Sequence, residues 1–425
     1  MNARSRILAA PRPRSADAAW LVVVTAALAL ILAARPAGAR TVVKDGVPHV
    51  ENGPTPRDGV QALQLEEAWR RGGEDDDEVL LGIVTSVLTD SERNLYVLDA
   101  QLMDIKVFNA EGELTGTLGR QGEGPGEFQN AQQMTFLPGR KSLGVAQTFP
   151  GKLVGINLDG TPGPQIAIGG DPAAGGFSVL INATMGGDNL VVSGIEIAFD
   201  QASMAMDRHH YVRSYDQAGA RLHEFCAKDV HWVFDSSFTL REAESDFVWW
   251  RLAVDGQGRV LIGEPREDYV ISVYGRDGKL ERVFGREYET FPRPAPLLAR
   301  YEAMMEAQSA QLPPGTRREV AANEQDIWGI HCHGDGTYWV ATSRGMYDPP
   351  AGAFTAWDVF SPEGEYLRQV TAAVPGTPGT DFLFMTDHGY AVMVTGFWDA
   401  VLSIMGAGQQ DEAAEPMQLV CYRIR

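Results

Sequence analysis

The side chains with the most chemical potential in this chain are three aspartates, two histidines and a run of aromatic residues beside an arginine. Asp246, Asp326 and Asp381 lie nine, nine and six residues before the turn residues Asp255, Asp335 and Asp387. Carboxylates at matching distances from a repeated turn can converge on one point. Converging oxygens suit Ca²⁺, and Asn130 and Asn182 offer neutral ones. The opposing reading is a set of solvated or capping turn carboxylates, since Asp is favoured at turns for its bonds to its own backbone. The equivalent place in the first repeat, Leu80-Leu81 with Glu78 as nearest acid, breaks the pattern. His331 and His333 flank Cys332 on a predicted strand. Residues i and i+2 of a strand share a face, so both imidazoles point the same way and suit zinc or copper. A metal site needs three or four ligands and the sequence supplies no third, which leaves a packed, hydrogen-bonded pair as the other reading.

Trp249, Trp250 and Trp328 belong to a cluster of aromatics in the last third of the chain. Most such residues form core, because strands favour aromatics. Those that alternate outward make a mouth suited to sugar or peptide ligands, and Arg251 beside Trp250 is placed to orient an acidic group. The run Gly122-Glu-Gly-Pro-Gly126 fails as a phosphate cradle. No helix start or Lys-Ser/Thr follows it, and Glu123 and Glu127 repel phosphate. Neither a G-x-S-x-G nor an H-E-x-x-H motif occurs.

These residues sit within a repeat of two short β-rich runs bounded by turns. The first copy is Leu95-Tyr-Val-Leu98, Asp104-Ile-Lys-Val-Phe108 and a turn ending at Gly112. The second is Ser142-Leu-Gly-Val145, Lys152-Leu-Val-Gly-Ile156 and a turn ending at Gly160. Four looser copies centre on Val191, Leu261, Trp339 and Val392. Repeats of this size, with several strands and no helix, are the signature of propeller blades, which cover their faces only by stacking around an axis. Six copies predict an all-β, six-bladed β-propeller of four-stranded blades. The strand-like stretch Thr41–Val50 is expected to complete and close the last blade, because an open ring leaves sheet edges exposed. Within 288–328, Leu297, Tyr301, Met304, Met305 and Gln308 fall on one helical face, which predicts a helical insertion between blades four and five.

Gly119-Arg-Gln-Gly-Glu-Gly-Pro-Gly-Glu-Phe128 and Asn94-Leu-Tyr-Val-Leu-Asp99 resemble the inter-blade connection and strand of NHL-type repeats. Later blades are similar to those of exported bacterial six-bladed propellers. The resemblance implies the fold. That fold hosts binding scaffolds, lactonases, lyases and sugar oxidoreductases alike, so function does not follow from it.

Residues 1–39 read as a signal peptide, with a basic start, an apolar run and cleavage after Ala39. That leaves 40–425 as a single propeller, exported to the periplasm or beyond the cell. The chain of 425 residues carries a net charge of −20, which argues against nucleic acid as a partner. After the leader no apolar run is long enough for stable membrane insertion. An odd count of three cysteines in an oxidising compartment leaves at least one unpaired. Two functions remain. The favoured one is a binding or interaction scaffold for a protein or small ligand at one face of the ring. The alternative is a Ca- or Zn-dependent hydrolase or lyase of the lactonase-like propeller type, with its site at the channel mouth.

Overall fold

The structure is a computed structural model that describes residues 38–168, 176–310, 312–404 and 417–425. The expected leader lies outside these residues except for Gly38 and Ala39. No helix among the described residues is long and apolar enough to cross a membrane.

Blade one is the four-stranded antiparallel sheet Val84–Thr89, Leu95–Asp99, Asp104–Phe108 and Leu114–Leu118. Its second strand, LYVLD, is buried at every position, because a middle strand is covered by neighbours on both faces. The turn aspartates organise the hairpins. Asp90 accepts hydrogen bonds from the Glu92 and Asn94 amides and from the Tyr96 hydroxyl, and Asp255 accepts from the Gln257 and Arg259 amides. Blade two repeats this plan from Ala131 to Ala167. Blade three, Gly176 to Val233, has strands of 11, 12, 11 and 13 residues. Blades four, five and six begin with Leu252–Val254, Ile327–Cys332 and Phe382–Met385.

Ring closure follows from where the apolar residues pack. From blade one to blade five the first strands of successive blades touch one another, which makes them the inner strands. Six buried apolar clusters fill the six junctions between blades, the last joining Val392, Leu419 and Cys421 of blade six to Val84, Val97 and Phe108 of blade one.

The N-terminal segment closes the ring by a route different from the expected one. Leu65–Gly72 pairs antiparallel with Gln418–Ile424 and supplies the fourth strand of blade six. Thr41–Val50 instead lies in a hairpin, Arg40–Lys44 with Val47–Asn52, whose second strand adds in parallel to the outer edge of blade four. The side chains explain the assignment. Trp69 stacks on Phe108 at 5.6 Å and packs in the blade six–one core, whereas Val43 is 66% exposed. Val60–Ala62 likewise extends blade five.

Two helices bear on the site. Helix α1 (Glu242–Ser245) precedes blade four's inner strand, and helix α2 (Ala295–Ser309) lies in the connection from blade four to blade five. Pro296 is tolerated in the first turn of α2, where its missing N–H loses no helical bond.

Candidate functional site

Connections between blades and helix α2 gather at the rim where the inner strands begin. There, Glu242, Asp246, Trp249, Arg266, Arg293, Tyr301, Met304, Met305, Gln308, Glu324 and Gln325 line a cavity of about 180 Å³. Loops carry these side chains because each blade returns to this rim, and α2 turns the face bearing Tyr301, Met304, Met305 and Gln308 into the cavity.

The cavity's charges are paired. Arg293, 1% exposed, grips Glu242 at 2.6 and 2.7 Å and Glu324 at 2.9 Å. Its guanidinium also lies 3.5 Å from the centre of the Tyr301 ring. Arg266 reaches Glu242 at 3.1 Å and Asp246 at 3.4 Å. Burial pushes the Glu242 carboxyl up, but the hydrogen bond and charge of Arg293, joined by Arg266, outweigh it and hold Glu242 below the usual range. Burial pushes the Tyr301 phenol far up, so it stays a neutral donor.

The residues singled out from sequence are placed as follows. Asp246 and Trp249 line the cavity. Arg251 is 1% exposed and bonds Asp246 at 3.0 Å, Gln325 at 2.6 Å and the Phe247 carbonyl at 3.1 Å. It therefore clamps the end of α1 and is not among the residues lining the cavity. Trp249 packs against His210 at 5.6 Å, and its carbonyl accepts from the Asn182 amide at 2.9 Å. Trp250 is 38% exposed. Trp328 is the extra residue of a bulge in blade five's inner strand and meets Trp398 edge-on at 5.4 Å. Bulges add Thr85, Gln132 and Ile181 to the inner strands of blades one to three.

The proposed acidic ring is divided among separate tasks. Both oxygens of Asp246 are held by arginines. Asp381 accepts from the Thr377 amide at 2.7 Å and the Gly396 amide at 2.8 Å, and so ties down a loop. Asp326 is 2% exposed and its Oδ1 has no partner among the described residues. Burial, reinforced by Glu267 and Asp268, pushes its carboxyl up to about 6 against a hydrogen bond to Thr290.

His331 stands near the far end of blade five's inner strand and His333 just past it, about 16 and 23 Å along the chain from Asp326 at about 3.3 Å per residue. Their ring centres are 6.4 Å apart, and His333 stacks on Trp339 at 5.2 Å. Burial keeps His331 neutral by pushing its pKa down. Among the described residues, no group of three or more His, Cys, Asp or Glu is arranged to hold a metal ion.

Sequence reasoning missed Glu242, Arg266, Arg293, Tyr301 and Glu324 as site residues. Glu242 and Arg293 meet across 51 positions, with no repeat to signal the pairing. The one available signal was α2's face, which the sequence reading used only to predict a helical insertion.

A sequence family described as a 6-bladed β-propeller matches residues 74–162. No curated protein matches. Among solved structures, a protein described as exported, from Bacteroides fragilis, is 14% identical, with a TM-score of 0.49, over 86% of this chain and 99% of its own. A member of the duf4221 family from Bacteroides vulgatus is 11% identical, with a TM-score of 0.45, over 85% and 98%. A calcium-binding protein, regucalcin, from Agrobacterium tumefaciens is 11% identical, with a TM-score of 0.39, over 86% and 97%. Strand pairing and the matched sequence family define the chain as an all-β, six-bladed propeller of four-stranded blades.

Proposed function

We propose that this chain is an exported binding propeller that seats a small polar ligand in the cavity under helix α2. The pairing of the cavity's charges carries the reading. Arg251, Arg266 and Arg293 pair with Glu242, Asp246 and Glu324 in place, three charges against three, which leaves a preorganised polar lining without a free acid or base. A preset lining favours binding, because little is spent on ordering it when the ligand arrives. A cavity of about 180 Å³ open to solvent suits a small molecule or one residue of a larger one. Trp249, Met304 and Met305 supply an apolar wall, and Gln308, Gln325 and Ser245 supply uncharged hydrogen-bonding groups.

The test is a thermal-shift screen of the purified protein against small hydroxylated compounds. Trp249→Ala and Gln308→Ala serve as cavity variants. The reading expects at least one compound to raise Tm in the wild type and in neither variant. Stoichiometric Ca²⁺ or Zn²⁺ in the purified protein would overturn the non-catalytic half of the proposal.

A further inference from the structure

Helix α2 has two faces, and the cavity occupies only one of them. Tyr301, Met304, Met305 and Gln308 turn toward it. On the opposite side, Leu298, Ala299, Glu302, Ala303 and Glu306 line a groove of about 670 Å³. The other wall of the groove is the segment 318–322, which contributes Arg318, Val320 and Ala322. That segment is fixed from its inner side. The Ala321 carbonyl accepts from Arg293 at 3.0 Å, and the Ala321 amide donates to Glu242 at 3.0 Å. Val320 packs against the apolar cluster of Trp232, Leu240 and Met305. Both walls are therefore held by residues that also build the cavity, and the groove is preformed.

The outward face of α2 is unusual for a surface helix, where polar and charged residues normally point away from the core. Three of its five groove positions, Leu298, Ala299 and Ala303, are apolar, and Ala299 is exposed. The other two are both glutamates, four residues apart, a spacing at which like charges repel and destabilise a helix. Arg318 reaches Glu306 at 3.8 Å, whereas Glu302 has no ion pair among the described residues. The groove thus combines an apolar floor with one negative charge left over. Alanine at 299 and 303 also lets another helix come close, since interaxial distance depends on the side chains at the contact.

We infer that this groove docks an α-helix of a partner protein, one with an apolar stripe flanked by lysine or arginine. The floor between α2 and 318–322 takes the stripe, as in helix-in-groove recognition. Glu302 and Glu306 take the flanking cations. The net charge of −20 draws in a basic partner and repels a second copy of this chain. From Leu298 to Glu306 the face runs about 12 Å at about 1.5 Å per residue, so about two turns of the partner helix cover it. The inference does not depend on what fills the cavity.

The experiment is titration of the full chain with a labelled peptide of about 18 residues, long enough to be helical, built from leucine and lysine at helical spacing. A counterpart carries glutamate in place of lysine. Both are run at about 0.15 M salt, where a screening length of about 8 Å suppresses attraction to the chain's overall charge. Wild type is compared with Ala303→Trp, which fills the groove, and with the double variant Glu302→Lys/Glu306→Lys, which reverses its charge. The lysine peptide should bind wild type and the glutamate peptide should not. Either variant should weaken binding about tenfold or more, the effect of a clash or of like charges across an interface. If Ala303→Trp does not fold, the charge reversal at the two exposed glutamates carries the test. Failure of the lysine peptide to bind, or binding unchanged in either folded variant, would overturn the inference. So would self-association of wild type that Ala303→Trp abolishes, since a second copy would then be the occupant. Gln308→Ala, on the cavity face of α2, should leave peptide binding unchanged; a loss there would place the peptide in the cavity, and the groove assignment fails.

Discussion

Blades one and two differ from blades three to five in what they pack and in how far they reach. The junction of blades one and two is closed by Leu98, Ile105, Phe128, Leu143, Val145 and Ile156, all 2% exposed or less. Its strands have five or six residues, and Gly and Asp make the turns. Blade three's strands run to about twice that length, and the connections into blades four and five carry helices α1 and α2 and buried ions. A ring needs only the short strands. Whatever extends beyond them is free to build walls, and here the walls are made of paired charges. Apolar burial joins the blades in both halves, and the irregular half adds to it a rim cluster of buried ion pairs around Arg293 and Arg266.

The largest effect expected from this contrast is at Arg293. Arg293→Met leaves Glu242 and Glu324 facing each other with one guanidinium fewer, and Glu324 is 1% exposed. Breaking a buried ion pair by removing one partner costs about 3–5 kcal/mol. Urea unfolding should show that loss. A loss below about 1 kcal/mol would mean that the cluster is solvated enough to tolerate the change, and the contrast between the two halves would collapse.

The next effect depends on pH. The Asp326 carboxyl is raised to about 6 in the folded protein, from 3.8. The native state therefore holds this proton more tightly than the unfolded state does. Stability from the protonated form is full below about pH 4 and is lost as pH rises through 6. Asp326→Asn removes that loss. Relative to wild type, the variant should gain stability between pH 4 and pH 7.5, by up to about 3 kcal/mol for a shift of about two units at 1.36 kcal/mol each. His210 has the opposite sign: burial lowers its pKa to about 4, so it penalises acid instead. Chemical denaturation of both proteins across that range checks the prediction, and parallel curves would place Asp326 in a wetter setting than its 2% exposure implies.

The same division explains what could be read from the sequence. Turn aspartates, Gly turns and β-rich runs recur at a near-constant spacing in blades one and two, and one unit taught the eye to find the next. Six blades and four-stranded sheets follow from that periodicity. The α2 face was legible for a related reason, since helical spacing is local. The partnership of Glu242 with Arg293 was not, because it joins two loops through space. The closing strand was assigned to Thr41–Val50 on β-like composition, which both N-terminal segments share. Only the packing of Trp69 against Phe108 separates them. Arg251 and Asp246 were chosen as side chains that could face a ligand, yet a charged pair at a rim can as readily face each other. Nothing in residue type distinguishes those outcomes.

The smallest expected effect tests the regular half directly. Ile156→Val removes one methylene from the blade one–two core, where Ile156 is 1% exposed and its Cδ1 lies 2.9 Å from the position a Cβ on Gly119 would occupy. Such a deletion typically costs about 0.5–1.5 kcal/mol. Val43→Ser, on the hairpin strand Arg40–Lys44, should stay within about 0.5 kcal/mol, because Val43 is 66% exposed. Measured together by urea unfolding, the two should differ in that order. If Val43→Ser proved the more costly, the N-terminal hairpin would be more than an edge addition to blade four. The ring would then depend on two N-terminal fastenings, with Leu65–Gly72 only one of them.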